Sequence, residues 1–202
     1  LGKQSPKEES FGCVYTRTTG IWQTVWLEGV GTSYIGDYYV MPDPENSRIV
    51  VRAAISNYTQ GLTVKATAFA DGKSVGEIQG PAQVRDTVLV LPLSEKRLWS
   101  PKDPFLYDIE LTLMRGNEVV DAVKGYFGLR RVNVEGAAIL INGDPIFQRL
   151  ILDQGFYPQG IWTAPSDADL KKDIEVSMAA GFNGARLHQK VFEPRLLYWA
   201  DK

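Results

Sequence analysis

The fold of this chain is decided by the stretch Leu106-Tyr107-Asp108-Ile109-Glu110-Leu111-Thr112-Leu113-Met114. Its apolar and polar side chains alternate, as they do in a β-strand that buries one face. The apolar set is read as Leu106, Ile109, Leu111 and Leu113, placed around Tyr107, Glu110 and Thr112. Arg115-Gly116-Asn117 then predicts a turn into a second strand over residues 118–126. The two strands predict an antiparallel hairpin within a β-rich region.

Short strands separated by turn signals fill the region from about residue 34 to 132. Strands are expected over Arg48–Ser56, Leu62–Ala70 and 87–93, and Asp71-Gly72 is a hairpin signal. Residues 41–46 contain two prolines, so we expect a loop there instead of a continuous strand. Seven or so strands in about 100 residues, with no helical period, predict an immunoglobulin-like antiparallel β-sandwich.

Composition excludes several classes of function. The 202 residues are 44% hydrophobic and 23% charged, with a net charge of -2, which is typical of a folded chain. We expect no nucleic-acid partner because there is no basic stripe, and no membrane span because no apolar run approaches roughly 18–20 residues. A single cysteine, Cys13, excludes an internal disulfide and leaves a cytoplasmic, periplasmic or secreted bacterial location open. We expect neither a metal nor a cofactor.

Past residue 132 the chain changes from strands alone to strands and helices. Ile141-Asn142-Gly143-Asp144 is a hairpin signal, and residues 149–153 and 182–187 predict two buried strands. This alternation predicts parallel β/α units. Such a sheet needs several further units before it closes into a barrel or covers both faces. We therefore expect this chain to be a piece of a larger protein, mainly β, that ends in an incomplete TIM barrel.

Two helices are expected between and after these strands. Ser166 with Asp169 fits a helix N-cap, and Gly181 fits the end of the same helix. Glu193-Pro194 begins the second helix, where proline is tolerated in the first turn. The first helix carries one apolar stripe at a spacing of four, formed by Leu170, Ile174 and Met178.

Polar side chains follow both strands of the β/α units. Asp153 and Gln154 follow the first strand, and the second ends in Arg186, His188 and Gln189. Because residues at the carboxyl ends of barrel strands face the active site, we expect these five side chains on one rim. Carboxylate, amide and guanidinium groups bind hydroxyls, so the rim favours a polyhydroxylated ligand. A structural ion pair between Arg186 and Asp153 is the alternative.

Tryptophans add a second signal, because flat aromatic faces pack on sugar rings. Trp162 lies in the loop after the first strand and is a candidate for contact with a sugar. Residues 14–27, rich in Thr, Tyr, Trp and Val, predict a strand, a turn and a strand, with Val25 and Leu27 on one face. The other tryptophans of the β-rich region are expected in its core: Trp22, Trp26 and Trp99.

Five motifs follow one another along the chain. They are YTRTTGIWQTVWLE at residues 15–28, Leu98-Trp99-Ser100-Pro101 with Pro104-Phe105-Leu106-Tyr107, Phe127-Gly128-Leu129-Arg130-Arg131-Val132, Leu140-Ile141-Asn142-Gly143-Asp144-Pro145, and Gly181-Phe182-Asn183 with Arg186. In this order they resemble the middle of a glycoside hydrolase family 2 enzyme, the family of β-galactosidases, β-glucuronidases and β-mannosidases. The motifs resemble, in turn, the end of the sugar-binding jelly roll, a signature and the exit of the immunoglobulin-like domain, the hairpin leading into the barrel, and the second barrel strand.

The resemblance implies three segments and a chemistry. Residues 1–32 would be the last jelly-roll strands, 33–132 the immunoglobulin-like sandwich, and 133–202 the hairpin and first β/α units of the barrel. It also implies a retaining mechanism with two glutamates, which the family takes from later barrel strands. The eleven glutamates of this chain match neither position. We therefore expect no catalytic residue here, and candidate substrate contacts at Asp153, Gln154, Trp162, Asn183, Arg186, His188 and Gln189.

One departure from the family pattern concerns the sugar. Members that act on galactose commonly carry Ser-His-Tyr-Pro shortly after the second-strand arginine, whereas Leu187-His188-Gln189-Lys190-Val191 stands here. The identity of the sugar therefore stays open. The expected partner of the full-length enzyme is a carbohydrate substrate, and a homo-oligomer is possible. The alternative function is a non-catalytic carbohydrate-binding or protein-interaction module built on the sandwich.

Overall fold

A computed structural model describes residues 3–202 of the chain. Leu1 and Gly2, the first residues of the predicted segment 1–32, lie outside this description. The chain forms two compact units. We call Glu28–Ile146 the antiparallel unit, and Leu1–Leu27 with Phe147–Lys202 the parallel unit. Strands are the main secondary structure of the chain.

The antiparallel unit contains two sheets in which every neighbouring pair of strands is antiparallel. One sheet has the order β1-β2-β5 and the other β4-β3-β6-β7, with strands β1 Tyr34–Asp43, β2 Arg48–Ser56, β3 Leu62–Ala70, β4 Lys73–Pro81, β5 Asp86–Pro92, β6 Tyr107–Arg115 and β7 Glu118–Phe127. A smaller sheet of order β10-β9-β8 follows, formed by β8 Val132–Glu135, β9 Ala138–Ile141 and β10 Asp144–Pro145.

One hydrophobic core receives buried side chains from both larger sheets. Strand β6 shows the predicted alternation, since Ile109, Leu111 and Leu113 are buried while Asp108 is exposed. The predicted apolar set was wrong in one member. Tyr107, and not Leu106, has the parity of the buried face, and it is fully enclosed.

A buried tyrosine requires a partner for its hydroxyl, and Tyr107 has two. Its hydroxyl donates to the Glu95 carbonyl at 3.0 Å and accepts from the Arg97 amide at 2.6 Å. Its ring stacks on Phe127 with centroids 4.9 Å apart. The polar end is satisfied and the ring contributes apolar area, so this strand end is stable inside the core.

Two hairpin predictions are confirmed. Asp71 and Gly72 both adopt positive φ values, 48° and 77°, and join β3 to β4. Asn142 and Gly143 do the same, at 55° and 90°, between β9 and β10. Two consecutive positive φ values define the turn whose twist matches a tight hairpin, and Asn-Gly and Asp-Gly adopt it at little cost.

The loop predicted over residues 41–46 was partly wrong, because β1 continues through Pro42 to Asp43. Pro42 lies opposite Ile49 of β2. Strand β1 is at the edge of its sheet, so the missing N–H of proline removes no bond to a second neighbour.

The strand-turn-strand predicted over residues 14–27 was also wrong. Val14 and Tyr15 form isolated bridges, and no strand is present over residues 16–33 of the described chain. Trp26 is 66% exposed, and Val25 and Leu27 are exposed as well, so they form no buried face. Without a neighbouring strand to pair with, an isolated two-stranded hairpin has little stability of its own.

In the described part of the parallel unit, residues 3–27 and 147–202, there are two strands and two helices. Strand β11, Leu150–Asp153, pairs in parallel with β12, Gly184–Leu187, and the helices are α1, Asp167–Ala179, and α2, Pro194–Asp201. Its small core is formed by Leu170, Phe192 and Leu196. The strands were predicted to be buried, but Leu150 and Leu152 are exposed because each strand has one neighbour only.

Helix α1 begins and ends as predicted. The Ser166 side chain accepts from the Asp169 amide at 3.3 Å, and Gly181 follows the helix with a φ of +87°. The apolar stripe is shorter than predicted. Leu170 is buried and Ile174 packs against the small core, whereas Met178 is 61% exposed.

Candidate functional site

The carboxyl ends of β11 and β12 lie side by side. The register pairs Asp153 with Leu187, and the next amide of the second strand, that of His188, donates to the Asp153 carbonyl at 2.9 Å. This bond extends the ladder by one residue. It brings Asp153, Gln154, His188 and Gln189 to one edge of the sheet, as expected for parallel strands.

Arg186 lies on the strand itself, opposite Leu152. Successive side chains of a strand point to opposite faces, so Arg186 and Asp153 project from opposite faces of the two-stranded sheet. No ion pair joins them within residues 3–202. Arg186 is exposed. The ion-pair alternative was therefore wrong, and its physical reason is the register of the two strands.

Asp153 is a partly buried carboxylate. Its Oδ1 accepts from the Gly155 amide at 2.8 Å. Burial raises the pKa of this carboxyl, and the charges of Asp173 and Glu193 add to the rise, while the Gly155 bond and the Lys190 ammonium oppose it. Such a group exchanges a proton closer to neutrality than an exposed aspartate does.

His188 presents a neutral imidazole beside this carboxyl end. Desolvation lowers its pKa first, and the positive charges of Arg186 and Lys3 lower it further. Its Nδ1 atom is buried and has no hydrogen-bond partner among the described residues. A neutral imidazole offers one donor and one acceptor, so the hydrogen-bonding capacity of this nitrogen is unused among the described residues.

Gln154 is held by a residue from the start of the chain. The Tyr15 hydroxyl donates to its Oε1 at 2.8 Å, and the Tyr15 ring stacks on Phe156 at 4.2 Å between centroids. Gln189, by contrast, is exposed and has a positive φ of 54°. Sequence reasoning did not identify Tyr15 as part of this region, because it is 139 residues from its partner.

Trp162 meets a second tryptophan at this end of the parallel unit. Its ring lies edge-on to Trp22, with centroids 6.1 Å apart and an angle of 78°. The neighbouring Thr163 hydroxyl donates to the Trp22 carbonyl at 2.5 Å. The expectation that Trp22 belongs to the core of the β-rich region was wrong, since it packs beside the loop that follows β11.

Asn183 lies away from the other candidates. Its Oδ1 accepts from the Arg149 amide at 2.7 Å and its Nδ2 donates to the Phe147 carbonyl at 2.9 Å. These bonds tie together the amino-terminal ends of β11 and β12, which is the end opposite to Asp153 and His188. Substrate contact through Asn183 stays a prediction, and its observed contacts are structural.

Lys190 was missed by sequence reasoning. Its side chain has no exposed surface, and its Nζ donates to the carbonyls of Gly155 at 3.0 Å and Trp162 at 2.9 Å. Glu193 lies 3.5 Å away as its ionic partner. Burial lowers the pKa of the ammonium, while Glu193 and Asp153 oppose that change. A lysine in a polar run is normally expected on the surface, and the two carbonyls that accept from it are distant in sequence.

Within residues 3–202, no group of three His, Cys, Asp or Glu side chains is arranged to hold a metal ion. None of the helices described has the length and apolar character needed to cross a membrane. The side chains that sequence reasoning assigned to this edge are the Asp153 carboxyl, the His188 imidazole and the amides of Gln154 and Gln189.

Comparison with known proteins finds similarity to glycosidases. Residues 33–130 match the model of glycosyl hydrolases family 2. A β-galactosidase of Lactococcus lactis is 26% identical over 84% of this chain and 17% of its own length. A β-galactosidase of Klebsiella pneumoniae is 29% identical over 89% of this chain and 19% of its own length.

Solved structures agree in fold. A glycosyl hydrolase family 2 member from Bacteroides cellulosilyticus superposes with a TM-score of 0.82 over 96% of this chain and 27% of its own, at 19% identity. A β-glucuronidase from Ruminococcus gnavus gives 0.71 over 85% of this chain and 29% of its own, at 21% identity. These matches support a fragment of a glycosyl hydrolase family 2 enzyme, and residues 33–130 are the part that matches the family itself. The chain spans less than a quarter of the length of these two β-galactosidases.

Proposed function

We propose that this chain is a segment of a retaining β-glycosidase that hydrolyses terminal β-glycosides of carbohydrates. The observation that carries the proposal is the match of most of the chain to β-galactosidases. A second support is the carboxyl-terminal edge of the parallel unit, where Asp153, Gln154 and His188 lie at the ends of two neighbouring strands and Trp162 packs against Trp22. Carboxylate, amide and imidazole groups bind sugar hydroxyls, and indole faces pack on sugar rings.

The finer architecture is part of the same proposal. Residues 33–132 form an immunoglobulin-like sandwich, supported by seven strands in two sheets around one core. Residues 133–202 form the hairpin and first β/α units of a TIM barrel, supported by the order β11, α1, β12, α2 and the parallel pairing. Residues 1–32 are the end of a sugar-binding jelly roll. In this arrangement the β11–β12 edge belongs to the catalytic face of the barrel.

The chemistry then divides between this chain and the rest of the protein. Retaining glycosidases use two carboxyl groups about 5–5.5 Å apart, one as nucleophile and one as acid and base. No glutamate ends β11 or β12, so we place both catalytic glutamates outside this chain. The residues at the β11–β12 edge bind and orient the sugar, and Asp153 and His188 supply hydrogen bonds at its hydroxyls.

Assays of the complete protein test this proposal. Aryl β-galactoside, β-glucuronide and β-mannoside are offered in parallel, and NMR records the anomer released first. We expect hydrolysis of at least one glycoside with retention of configuration. The 202-residue chain serves as the control and should be inactive. Turnover by this chain that is abolished by mutating one of its own glutamates would contradict the placement of the catalytic pair. Sugar binding without turnover by the complete protein would favour a non-catalytic module.

A further inference from the structure

Lys190 is the most deeply enclosed charge at the β11–β12 edge, and its surroundings are aromatic as well as polar. The Nζ atom lies 4.9 Å from the ring centroids of both Trp22 and Phe192, and 5.5 Å from that of Trp162. An ammonium within about 6 Å of an aromatic centroid is attracted by the ring. The cation therefore draws together side chains from the start of the chain and from the loops after β11 and β12.

The buried Lys190 ammonium is paired with two carbonyls and one carboxylate. The ammonium donates two hydrogen bonds, to the carbonyls of Gly155 and Trp162, and forms an ion pair with the Glu193 carboxylate at 3.5 Å. A buried charge is tolerated only when it is paired and its donors are satisfied. Two of the three partners are backbone carbonyls of one loop. Their bonds to Lys190 therefore fix the conformation of that loop.

We name residues 154–163 the Trp162 loop. Its first glycine fits closely against Lys190: Gly155 has a φ of +62°, and a Cβ atom there would lie 2.7 Å from the Lys190 Nζ. Its last residues are held by Lys190 at the Trp162 carbonyl and by Thr163 at the Trp22 carbonyl. The loop is therefore anchored by the ammonium near both of its ends.

The Trp162 loop starts at the candidate sugar contacts. Gly155 donates its amide to Asp153, and Gln154 lies between them. A shift of Gly155 would move the Asp153 carboxylate and the Gln154 amide, and a shift of Trp162 would move an aromatic surface of the same loop. One buried ammonium thus controls the positions of three groups suited to a sugar.

We propose that Lys190 is a positioning residue that holds the Trp162 loop in the conformation in which Trp162 contacts the sugar. The proposal deepens, and rests on, the β-glycosidase function proposed above. Lys190 itself is enclosed and does not touch the substrate. It acts through the Trp162 loop, and the chemical class recognised is the ring of a terminal β-linked sugar.

A double-mutant cycle in the complete protein tests this role. The variants are Lys190→Met, which keeps the length of the side chain without its charge, Trp162→Ala, and the two combined. Lys172→Met, an exposed lysine of α1, is the matched control. Because Trp162 would bind the sugar equally in the ground and transition states, we expect Lys190→Met and Trp162→Ala each to raise KM by about 10-fold with kcat within about 3-fold. The control should leave both constants unchanged.

The cycle separates positioning from simple structural support. If Lys190 acts through Trp162, the double variant should raise KM no more than the larger single effect, because neighbours that share one function are not additive. Additive effects on KM, or a lower melting temperature with unchanged KM, would overturn the proposal. Where Lys190→Met does not fold, Lys190→Arg replaces it: the cation is kept but its planar fork fits the two carbonyls poorly. The proposal is supported if Lys190→Arg raises KM in the wild-type protein but causes no further rise in the Trp162→Ala variant. It is overturned if Lys190→Arg leaves KM unchanged in the wild-type protein.

A second measurement keeps the outcome distinct from that of the proposed function. If the complete protein hydrolyses none of the glycosides, the β-glycosidase function fails, and chymotrypsin cleavage of the 202-residue chain decides the role of Lys190. The Trp162 loop offers Phe156 and Trp162 as cleavage sites, whereas Tyr157 is followed by Pro158 and is not cut. We expect Lys190→Met to raise cleavage there by about 10-fold or more through local opening, with the Lys172→Met chain cut at the wild-type rate. Equal rates in all three chains would overturn the positioning role.

Discussion

The antiparallel and parallel units are both built on β-strands, yet they bury their side chains to very different extents. Strand β6 has neighbours on both sides and contributes Leu111, 1% exposed, to a core shared by two sheets. Strand β11 has one neighbour, and its Leu152 is 50% exposed. Antiparallel sheets close on a core with short hairpins, whereas a parallel sheet needs covering helices and further strands. The comparison shows that this chain buries a large core in the antiparallel unit and a small one in the parallel unit.

The difference has a functional counterpart. In the antiparallel unit, charged side chains pair with one another mostly on the surface, as Arg52 does with Asp86. The parallel unit leaves groups unsatisfied: a buried nitrogen of His188 without a partner, and an Asp153 carboxyl with a raised pKa. Unpaired and perturbed groups mark functional sites more often than scaffolds. This supports the assignment of sugar contact to the parallel unit.

The largest expected effect is on stability. Leu111→Ala should lower the free energy of unfolding by ~2–5 kcal/mol, because it opens a cavity in a closed core. Leu152→Ala is the matched control in the parallel unit and should cost less than ~1 kcal/mol, since half of that side chain already contacts water. Urea unfolding of both variants measures the difference. Similar losses for the two leucines would break the comparison between the units.

The next effect is on catalysis, and it depends on the proposed β-glycosidase function. Arg186 is exposed on β12, where it matches the second-strand arginine of the family resemblance. Arg186→Lys keeps the charge but loses the planar fork, so kcat/KM of the complete protein should fall at least ~100-fold, or ~2.7 kcal/mol. Melting temperature should change little. Arg52→Lys in the antiparallel unit is the control and should leave kcat/KM unchanged. A lower melting temperature with nearly wild-type kcat/KM would make Arg186 structural.

A smaller effect is expected at the start of α1. Ser166→Ala removes the side chain that accepts from the Asp169 amide, and loss of such a cap costs about 1 kcal/mol. Ser177→Ala is the control inside the same helix, where the hydroxyl donates to the Asp173 carbonyl. That bond contributes little to helix stability, so the control should be neutral or slightly stabilising. Urea unfolding followed by far-UV circular dichroism compares the two, and equal losses would show that Ser166 is not acting as a cap.

The smallest effect is a pH dependence. The folded pKa of Asp153 is raised, so the folded state binds its proton more tightly than the unfolded state does. Stability contributed by this residue is therefore greatest at low pH and falls as pH rises from about 3.9, the ordinary value of aspartate, through the folded pKa. Asp153→Asn keeps an acceptor for the Gly155 amide and should be more stable than the wild type at pH 7, with the gain absent near pH 3. A variant less stable at pH 7 would mean that the Lys190 charge stabilises the Asp153 carboxylate overall.

Local patterns predicted much of the antiparallel unit. The alternation in β6 and the hairpins at Asp71-Gly72 and Asn142-Gly143 depend on neighbouring residues, so the sequence reveals them directly. Leu106, which was wrongly assigned to the buried face of β6, shows the limit of such local patterns. A tyrosine has an apolar ring and a polar hydroxyl, so the alternation alone does not decide whether Tyr107 is buried. Its hydroxyl bonds to Glu95 and Arg97 allow it to lie in the core.

The parallel unit was harder to predict because its contacts join distant parts of the chain. The strands, the cap at Ser166 and the polar strand ends were visible in the sequence. Lys190 was not, since its anchors at Gly155 and Trp162 lie 35 and 28 residues away and Trp22 is farther still. Asn183 was assigned to the sugar by resemblance, although it stands at the start of the predicted strand 182–187, and its bonds to Arg149 and Phe147 give it a structural role at that end.

Hydrogen exchange of the complete protein, with and without the sugar released from its best aryl glycoside, tests the central claim that the parallel unit contacts the sugar and the antiparallel unit supports it. Amides of residues 153–163 and 186–190 should become more protected on binding, because ordering the strand ends and the Trp162 loop slows their local opening. Amides of β2, β3 and β6 should not change. Protection confined to the antiparallel unit would contradict this assignment and would identify that unit as the sugar-binding module.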